Sequence, residues 1–210
     1  MKKNLPNIIP IFPLSGVIYF PKTNLPLNIF ENRYLKLVND CIEKNSLMGM
    51  VQSKRDSKNV YTVGCLGKIT EHRKNKDGRI LINLTGISRF DIKSEINNDK
   101  LYREFEVNYE RFYKDSELNL SNKINKDNIN LLLEKSKFFF EKFGLLINWN
   151  QFKDLDQDQQ INTLAMIAPI SNEEKQTLLE ANEINEKIKK LLKIIEFYLH
   201  EKDLNNATLQ

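Results

Sequence analysis

Cysteine is scarce in this chain: Cys41 and Cys65 are the only two in 210 residues. Two thiols cannot staple a domain of this size, and neither lies in a C-x-x-C or Cys/His spacing. A disulfide framework and a zinc site are therefore excluded, and a reducing, intracellular compartment is expected. Histidine is equally scarce. His72 and His200 are the only imidazoles, and neither has the companions that would make it a base for a nucleophile, so the cysteines read as buried, inert thiols. No apolar run reaches the roughly 18 residues of a membrane-spanning helix. Lys2 and Lys3 precede an apolar stretch as in a signal peptide, but Pro6, Pro10 and Pro13 interrupt it and no small-residue cleavage site follows. A cytoplasmic protein with no membrane partner is expected. Glycine forms no phosphate loop: Gly64-Cys65-Leu66-Gly67-Lys68 has two residues between its glycines and no hydroxyl after the lysine, against G-x-x-x-x-G-K-[ST]. Neither cofactor nor metal is expected.

Charge excess is also missing. The net charge of +4 comes from 32 basic and 28 acidic residues, interleaved along the chain, and a solvated lysine-rich surface accounts for it without an anionic partner. What is present is a globular composition, 40% hydrophobic and 29% charged, with enough chain to bury a core without staples.

Residues 1–112 read as mostly strand. Ile8–Phe12, Val17–Phe20 and Leu25–Phe30 are β-prone pieces punctuated by proline, which cannot donate to a ladder, so they should be edge-like, bent or partly paired. Asn32–Lys44 carries Leu35, Leu37, Val38, Cys41 and Ile42 on one helical face, with Asn32 as N-cap. Leu47–Gln52 returns to strand. Asp77-Gly78 marks a hairpin between Leu66–Lys74 and Arg79–Leu84, where Ile80, Ile82 and Leu84 should face one side. Gly86 should break the pattern, and Arg89–Ile96 with Tyr102–Tyr109 should make a further antiparallel pair. Several short strands around one helix suggest a closed or partly closed barrel.

After Phe112 the character changes. Residues 113–120 read as a linker and 121–204 as a helical bundle, with 205–210 a flexible tail. Four helices are expected: Asn122–Phe143 ending at Gly144, Asp158–Ala168 ending at Pro169, a third opened by a Ser171/Glu174 capping box, and Glu183–Lys202. In the first, Phe138-Phe139-Phe140 sweeps about 200° of surface. Phe138 falls off the stripe of Ile129, Leu132, Leu133, Phe140 and Phe143, so either the helix is covered on two sides or Phe138 is an exposed contact.

Three blocks then carry a family likeness. Ile11-Phe12-Pro13-Leu14, Phe20-Pro21 and Leu25-Pro26-Leu27-Asn28-Ile29-Phe30-Glu31-Asn32-Arg33-Tyr34 form the first. Gly64-Cys65-Leu66-Gly67-Lys68-Ile69, Asp77-Gly78-Arg79, Leu84-Thr85-Gly86 and Arg89-Phe90 form the second. Pro169-Ile170-Ser171 through Lys175 and Leu178-Leu179-Glu180 form the third. In this order they resemble the N-terminal, substrate-binding domain of the Lon protease family. The resemblance implies an α+β architecture, a PUA-like β-barrel followed by a helical bundle. It also implies binding of unfolded or partly folded polypeptide, as an adaptor or holdase, with a separate Lon protease as a further partner. With no phosphate loop and none of the Ser/Lys peptidase domain, the expectation is a stand-alone, non-catalytic Lon-like domain.

A groove for an extended peptide would draw on Leu14, Phe20, Leu25, Leu27, Phe30 and Phe138, with a strand edge adding backbone bonds; the alternative is that the strand residues among them fill the core. Glu31 and Arg33 read as an ion pair at a helix start, and Tyr34, Gly64, Gly67, Asp77, Gly78, Arg79, Gly86, Arg89 and Phe90 as structural. A hydrolase would need Glu31, Arg33 and His72 to converge. RNA binding through the barrel is the alternative function, resting on Lys68, Arg73, Lys74, Lys76 and Arg79 around the hairpin; Glu71 and Asp77 dilute that patch, and nucleic acid is not the expected partner.

Overall fold

The computed structural model describes residues 5–54, 59–116 and 124–207. Contacts divide the chain into two compact units, Met1–Leu118 and Asn119–Gln210.

The first unit contains β1 (Ile8–Leu14), β2 (Asn24–Ile29), α1 (Asn32–Lys44), β3 (Leu47–Gln52), β4 (Val63–Lys74), β5 (Ile80–Ile96) and β6 (Arg103–Asn108), then a 3-10 helix over Glu110–Ser116. The strands form one six-stranded sheet in the order β2-β5-β4-β3-β1-β6. A second pairing of β5 with β6 closes β1, β3, β4, β5 and β6 into a barrel. Closure depends on β5 changing partners along its length. Ile80–Thr85 pairs with β2 and Asp91–Ile96 with β6, while β4 runs along the other edge. All pairings are antiparallel except β1 with β3, which α1 connects as a crossover.

The prolines sit where the ladders tolerate them. β1 pairs with β6 over Ile8–Ile11 and with β3 over Ile11–Leu14, so only Ile11 has neighbours on both sides. Pro10 and Pro13 each lie where the strand has one partner, and Pro26 lies on β2, which pairs only with β5. Val17–Phe20, expected as a strand, is irregular. Ile18, Tyr19 and Phe20 are nevertheless buried, so apolar side chains here pack without a ladder. Alternation along β5 places Ile80, Ile82 and Leu84 inside.

Gly86 does not end that strand. β5 continues through it with a bulge opposite Leu66/Gly67. Its role is close approach: a Cβ there would lie 2.3 Å from the carbonyl oxygen of Phe20, and its own N–H donates to Thr23 O at 2.9 Å. The barrel core gathers Ile9, Ile11, Leu66, Phe90, Phe105 and Val107, each burial worth about 1.5–3 kcal/mol against the unfolded chain. Helix α1 covers it with Tyr34, Leu37, Val38 and Cys41, spaced as one face. Its N-cap is Glu31 rather than Asn32, in extended geometry and without a side-chain cap. Residues 113–116, read from sequence as linker, complete the 3-10 helix.

The second unit contains α2 (Lys126–Lys142), α3 (Trp149–Lys153), α4 (Gln157–Ile167), α5 (Asn172–Glu180) and α6 (Ile184–Ala207). Asn125 caps α2 by accepting from Asn128 N–H, and residues 122–123 of the expected helix lie outside the described residues. Gly144 follows α2 at φ +70°, the left-handed conformation that closes a helix C-terminus. The short α3 was not anticipated; Asn148 caps it. The Ser171–Glu174 capping box is formed in both directions. Helix α6 runs on through Ala207, into the segment read as a tail, and buries Ile188, Leu191, Leu192 and Ile195. The three phenylalanines divide: Phe139 and Phe140 are inside, and Phe138 is 60% exposed.

Candidate functional site

At one end of the barrel the strand termini leave a cleft of about 640 Å³. The C-terminal end of β1 supplies Pro13 and Leu14, the start of α1 supplies Arg33 and Tyr34 with Glu31 just before it, and Ser53 and Val60 come from beyond β3. Glu95 from β5 and Arg103 from β6 form the opposite wall. The cleft exists because β1 and β3 are parallel: both end at the same rim, where α1 begins its return.

Two ion pairs frame it. Arg33 reaches Glu31 at 2.8 Å, and its guanidinium lies 4.5 Å from the centre of the Tyr34 ring. Arg103 grips Glu95 through two bonds of 2.6 Å and stacks 4.8 Å above Phe105. Those bonds hold the Glu95 carboxyl below its usual range and raise the Arg103 guanidinium. Tyr34 packs on Phe12 at 4.2 Å and donates to the carbonyl of Pro13 at 3.4 Å. Burial raises its phenol, with the Glu31 charge adding and the arginines opposing.

The cleft thus offers charges of both signs in equal number, an aromatic ring and strand-end backbone. Among the described residues that line it there is no histidine or cysteine. His72 lies on β4 opposite Ile82 and does not line it. Among the described residues no group of three or more His, Cys, Asp or Glu side chains could hold a metal ion.

Of the sequence-marked residues, Leu14, Glu31, Arg33 and Tyr34 converge here. Phe20 is fully enclosed and Leu25 is buried; both pack the core instead of facing a ligand, because irregular backbone and an inward β2 register turn them inside. Leu27 is half-buried on β2, and Phe30, 63% exposed, stands just before Glu31. Phe138 belongs to the other unit. Gly64 and Gly67 lie where a Cβ would meet Met50 O at 2.5 Å and the Leu84 side chain at 2.6 Å. Gly78 turns the hairpin at φ +87°, with Asp77 accepting from Arg79 N–H and pairing with its side chain. Arg89 and Phe90 are buried. Sequence reasoning missed Glu95 and Arg103, whose pairing across the β5–β6 hairpin leaves no local signature. No Phe, Tyr or Trp lies between Thr70 and Ile80, so the hairpin's own segment supplies no stacking ring to the basic patch.

A closed barrel followed by a separate helical unit is the architecture of Lon N-terminal domains. The Lon N-terminal domain protein of Xanthomonas campestris superimposes with a TM-score of 0.64 at 24% identity, covering 88% of this chain and 96% of that one. The N-terminal domain of the Mycobacterium avium complex Lon protease gives 0.65 at 15% identity, covering 90% and 98%. The sequence pattern of the ATP-dependent protease La (LON) substrate-binding domain matches residues 8–196, and the chain belongs to that family. The Lon protease of Endomicrobium trichonymphae is 24% identical over 204 residues, which are 91% of this chain and 24% of that protein. The chain thus spans about a quarter of such a relative, and the match covers only its N-terminal domain. Among the described residues no helix is long and apolar enough to cross a membrane.

Proposed function

We propose that this substrate-binding module takes up unfolded or partly folded polypeptide in the barrel cleft, as an adaptor or holdase. The observation that carries the reading is the convergence of Leu14, Glu31, Arg33 and Tyr34 with the Arg103–Glu95 pair around one open cleft. An unfolded segment presents apolar side chains, charges of both signs and unpaired backbone groups. The cleft offers Leu14 for apolar contact and two ion pairs that can exchange partners with a segment's own charges; outside its lining, exposed Phe30 directly precedes Glu31, and among the described residues β2 keeps one edge without a neighbour. Leu27 flanks that edge, while Phe20 and Leu25 support it from the core. A Lon protease acting on the same polypeptide is the natural partner for such a module.

The test is titration of the purified chain with a permanently unfolded, fluorescently labelled protein. Arg33→Ala and Leu14→Asp, checked for native fold, should each weaken binding by roughly tenfold. Undiminished binding by both variants, or none by the natural chain at tens of micromolar, overturns the reading.

A further inference from the structure

The cleft does not end at the Glu95–Arg103 pair. Both residues also wall a second cavity, of about 330 Å³, which the turn from β5 to β6 completes with Asn97, Lys100, Leu101 and Tyr102. The ion pair is thus a partition shared by two adjoining compartments. On the cleft side stand Arg33, Glu31, Tyr34 and Leu14. On the far side the large apolar side chain open to solvent is Leu101, 67% exposed.

An exposed leucine says little by itself; what sets this one apart is how firmly the turn presents it. Before it, Lys100 is tied twice: its backbone N–H donates to Asn98 Oδ1 at 3.0 Å and its ammonium donates to Glu104 at 2.6 Å. Asn98 in turn donates to the same carboxylate at 2.9 Å. After it, Tyr102 is buried and donates to Asp40 of α1 at 2.8 Å. Both neighbours of the leucine are anchored, so the turn holds its side chain outward. An apolar group fixed where a ligand would cover it gives up little freedom on binding. The Lys100 charge is already taken by Glu104, so the far compartment adds apolar contact more than charge.

Spacing decides what the two compartments can read together. Leu101 and Arg103 are two residues apart, so their Cα atoms are separated by at most about 7 Å. An extended polypeptide advances about 3.3 Å per residue and turns every second side chain to the same side. Residues i and i+2 of a bound segment therefore match the step from the ion pair to the leucine. We propose that the bound polypeptide runs past the Glu95–Arg103 pair into the second compartment, and that the module selects segments in which a charged residue and a large apolar residue lie two positions apart. The charged residue exchanges with the ion pair while the apolar one covers Leu101. The occupant is the polypeptide of the cleft itself, because the two compartments share a wall. The inference rests on the cleft as the polypeptide site and adds to it the pattern of the segment bound.

The experiment is a fluorescence anisotropy titration of the purified chain with two labelled peptides of identical length and composition. One repeats Lys-Ser-Leu and Glu-Ser-Leu units separated by Gly-Ser. The other repeats Lys-Leu-Ser and Glu-Leu-Ser units, which put charge and leucine on opposite sides of an extended chain. The natural chain should bind the first roughly fivefold more tightly. Leu101→Ser should reduce the first peptide to the affinity of the second and leave the second unchanged, whereas Leu101→Met should keep the preference. Arg33→Ala, in the cleft, should weaken both peptides. Equal binding of the two by the natural chain, a preference that survives Leu101→Ser, or one that is lost in a folded Leu101→Met overturns the inference. Where Arg33→Ala still weakens both peptides in that case, the cleft reading stands without it. No binding of either peptide up to about 1 mM also overturns the inference, and the unfolded-protein titration alone then decides the cleft reading. A Leu101→Ser chain that sediments as a smaller species than the natural chain assigns the leucine to a contact between copies and overturns it as well.

Discussion

Asp115 holds Arg89 at three points: its carboxylate accepts from Nε at 2.8 Å, from a terminal guanidinium nitrogen at 2.7 Å and from the Arg89 backbone N–H at 2.9 Å. The guanidinium also lies 4.3 Å from the centre of the Phe112 ring. The side chains are only 5% and 8% exposed, so the pair locks the 3-10 helix onto β5 in a site where neither charge can be left alone. Asp115→Asn or Arg89→Ala should destabilise the barrel by about 3–5 kcal/mol, read as a shift of the urea midpoint. Arg89→Lys keeps the charge but loses the two-pronged geometry and should recover only part of it.

Gly86→Ala should cost about 1–3 kcal/mol. The added methyl would stand 2.3 Å from a backbone oxygen rather than from a flexible side chain, so relief requires moving the Phe20–Thr23 segment. Thermal unfolding of the variant checks this. Gly16→Ala, where nothing lies within 4 Å but φ is +90°, should show a smaller loss of backbone origin.

Both thiols should be silent in the native state. Cys41 and Cys65 are 2% and 0% exposed, and burial pushes the Cys41 thiol up to about 12, leaving almost no thiolate at pH 8. An aromatic disulfide reagent should label neither cysteine until denaturant is added; rapid native labelling would contradict the burial.

The Glu95–Arg103 pair should give a small acid-sensitive contribution. The folded pKa of Glu95 lies below the unfolded value of about 4.3. Its stabilisation is therefore fully present above that unfolded value and is lost as pH falls through the depressed folded value. The Glu95 and Arg103 side chains are 46% and 32% exposed, so the contribution is below about 1 kcal/mol. Glu95→Gln should be less stable than the natural chain at pH 7, and the gap should narrow as the pH falls below about 4.3, measured by denaturant titration across that range.

Much of the barrel was legible because its signals are local. Alternation over Ile80–Leu84, the Asp77-Gly78 turn, the apolar face of α1 and the Ser171–Glu174 box each lie within one element, and the three family blocks supplied the order. What was not legible is what distant segments do to each other. Gly86 reads as a breaker alone, and only the approach of Phe20 shows why a strand keeps a glycine. Val17–Phe20 has strand composition but is buried by packing without pairing. The cleft was half visible, since Glu31, Arg33 and Tyr34 are neighbours in sequence. Its other wall, Glu95 and Arg103, required the register of the β5–β6 pairing.

That β6 pairs with both β1 and β5 has a consequence for synthesis. Strands one to five can emerge from a ribosome and pair in part, but the N-terminal strand keeps an open flank until Asn108 has cleared the exit tunnel. The nascent chain therefore passes through a state with two unsatisfied strand edges facing each other across a gap that only its last strand fills. A truncation ending before Arg103 should be insoluble rather than merely unstable, and chaperone dependence should fall at the point in translation where β6 becomes available.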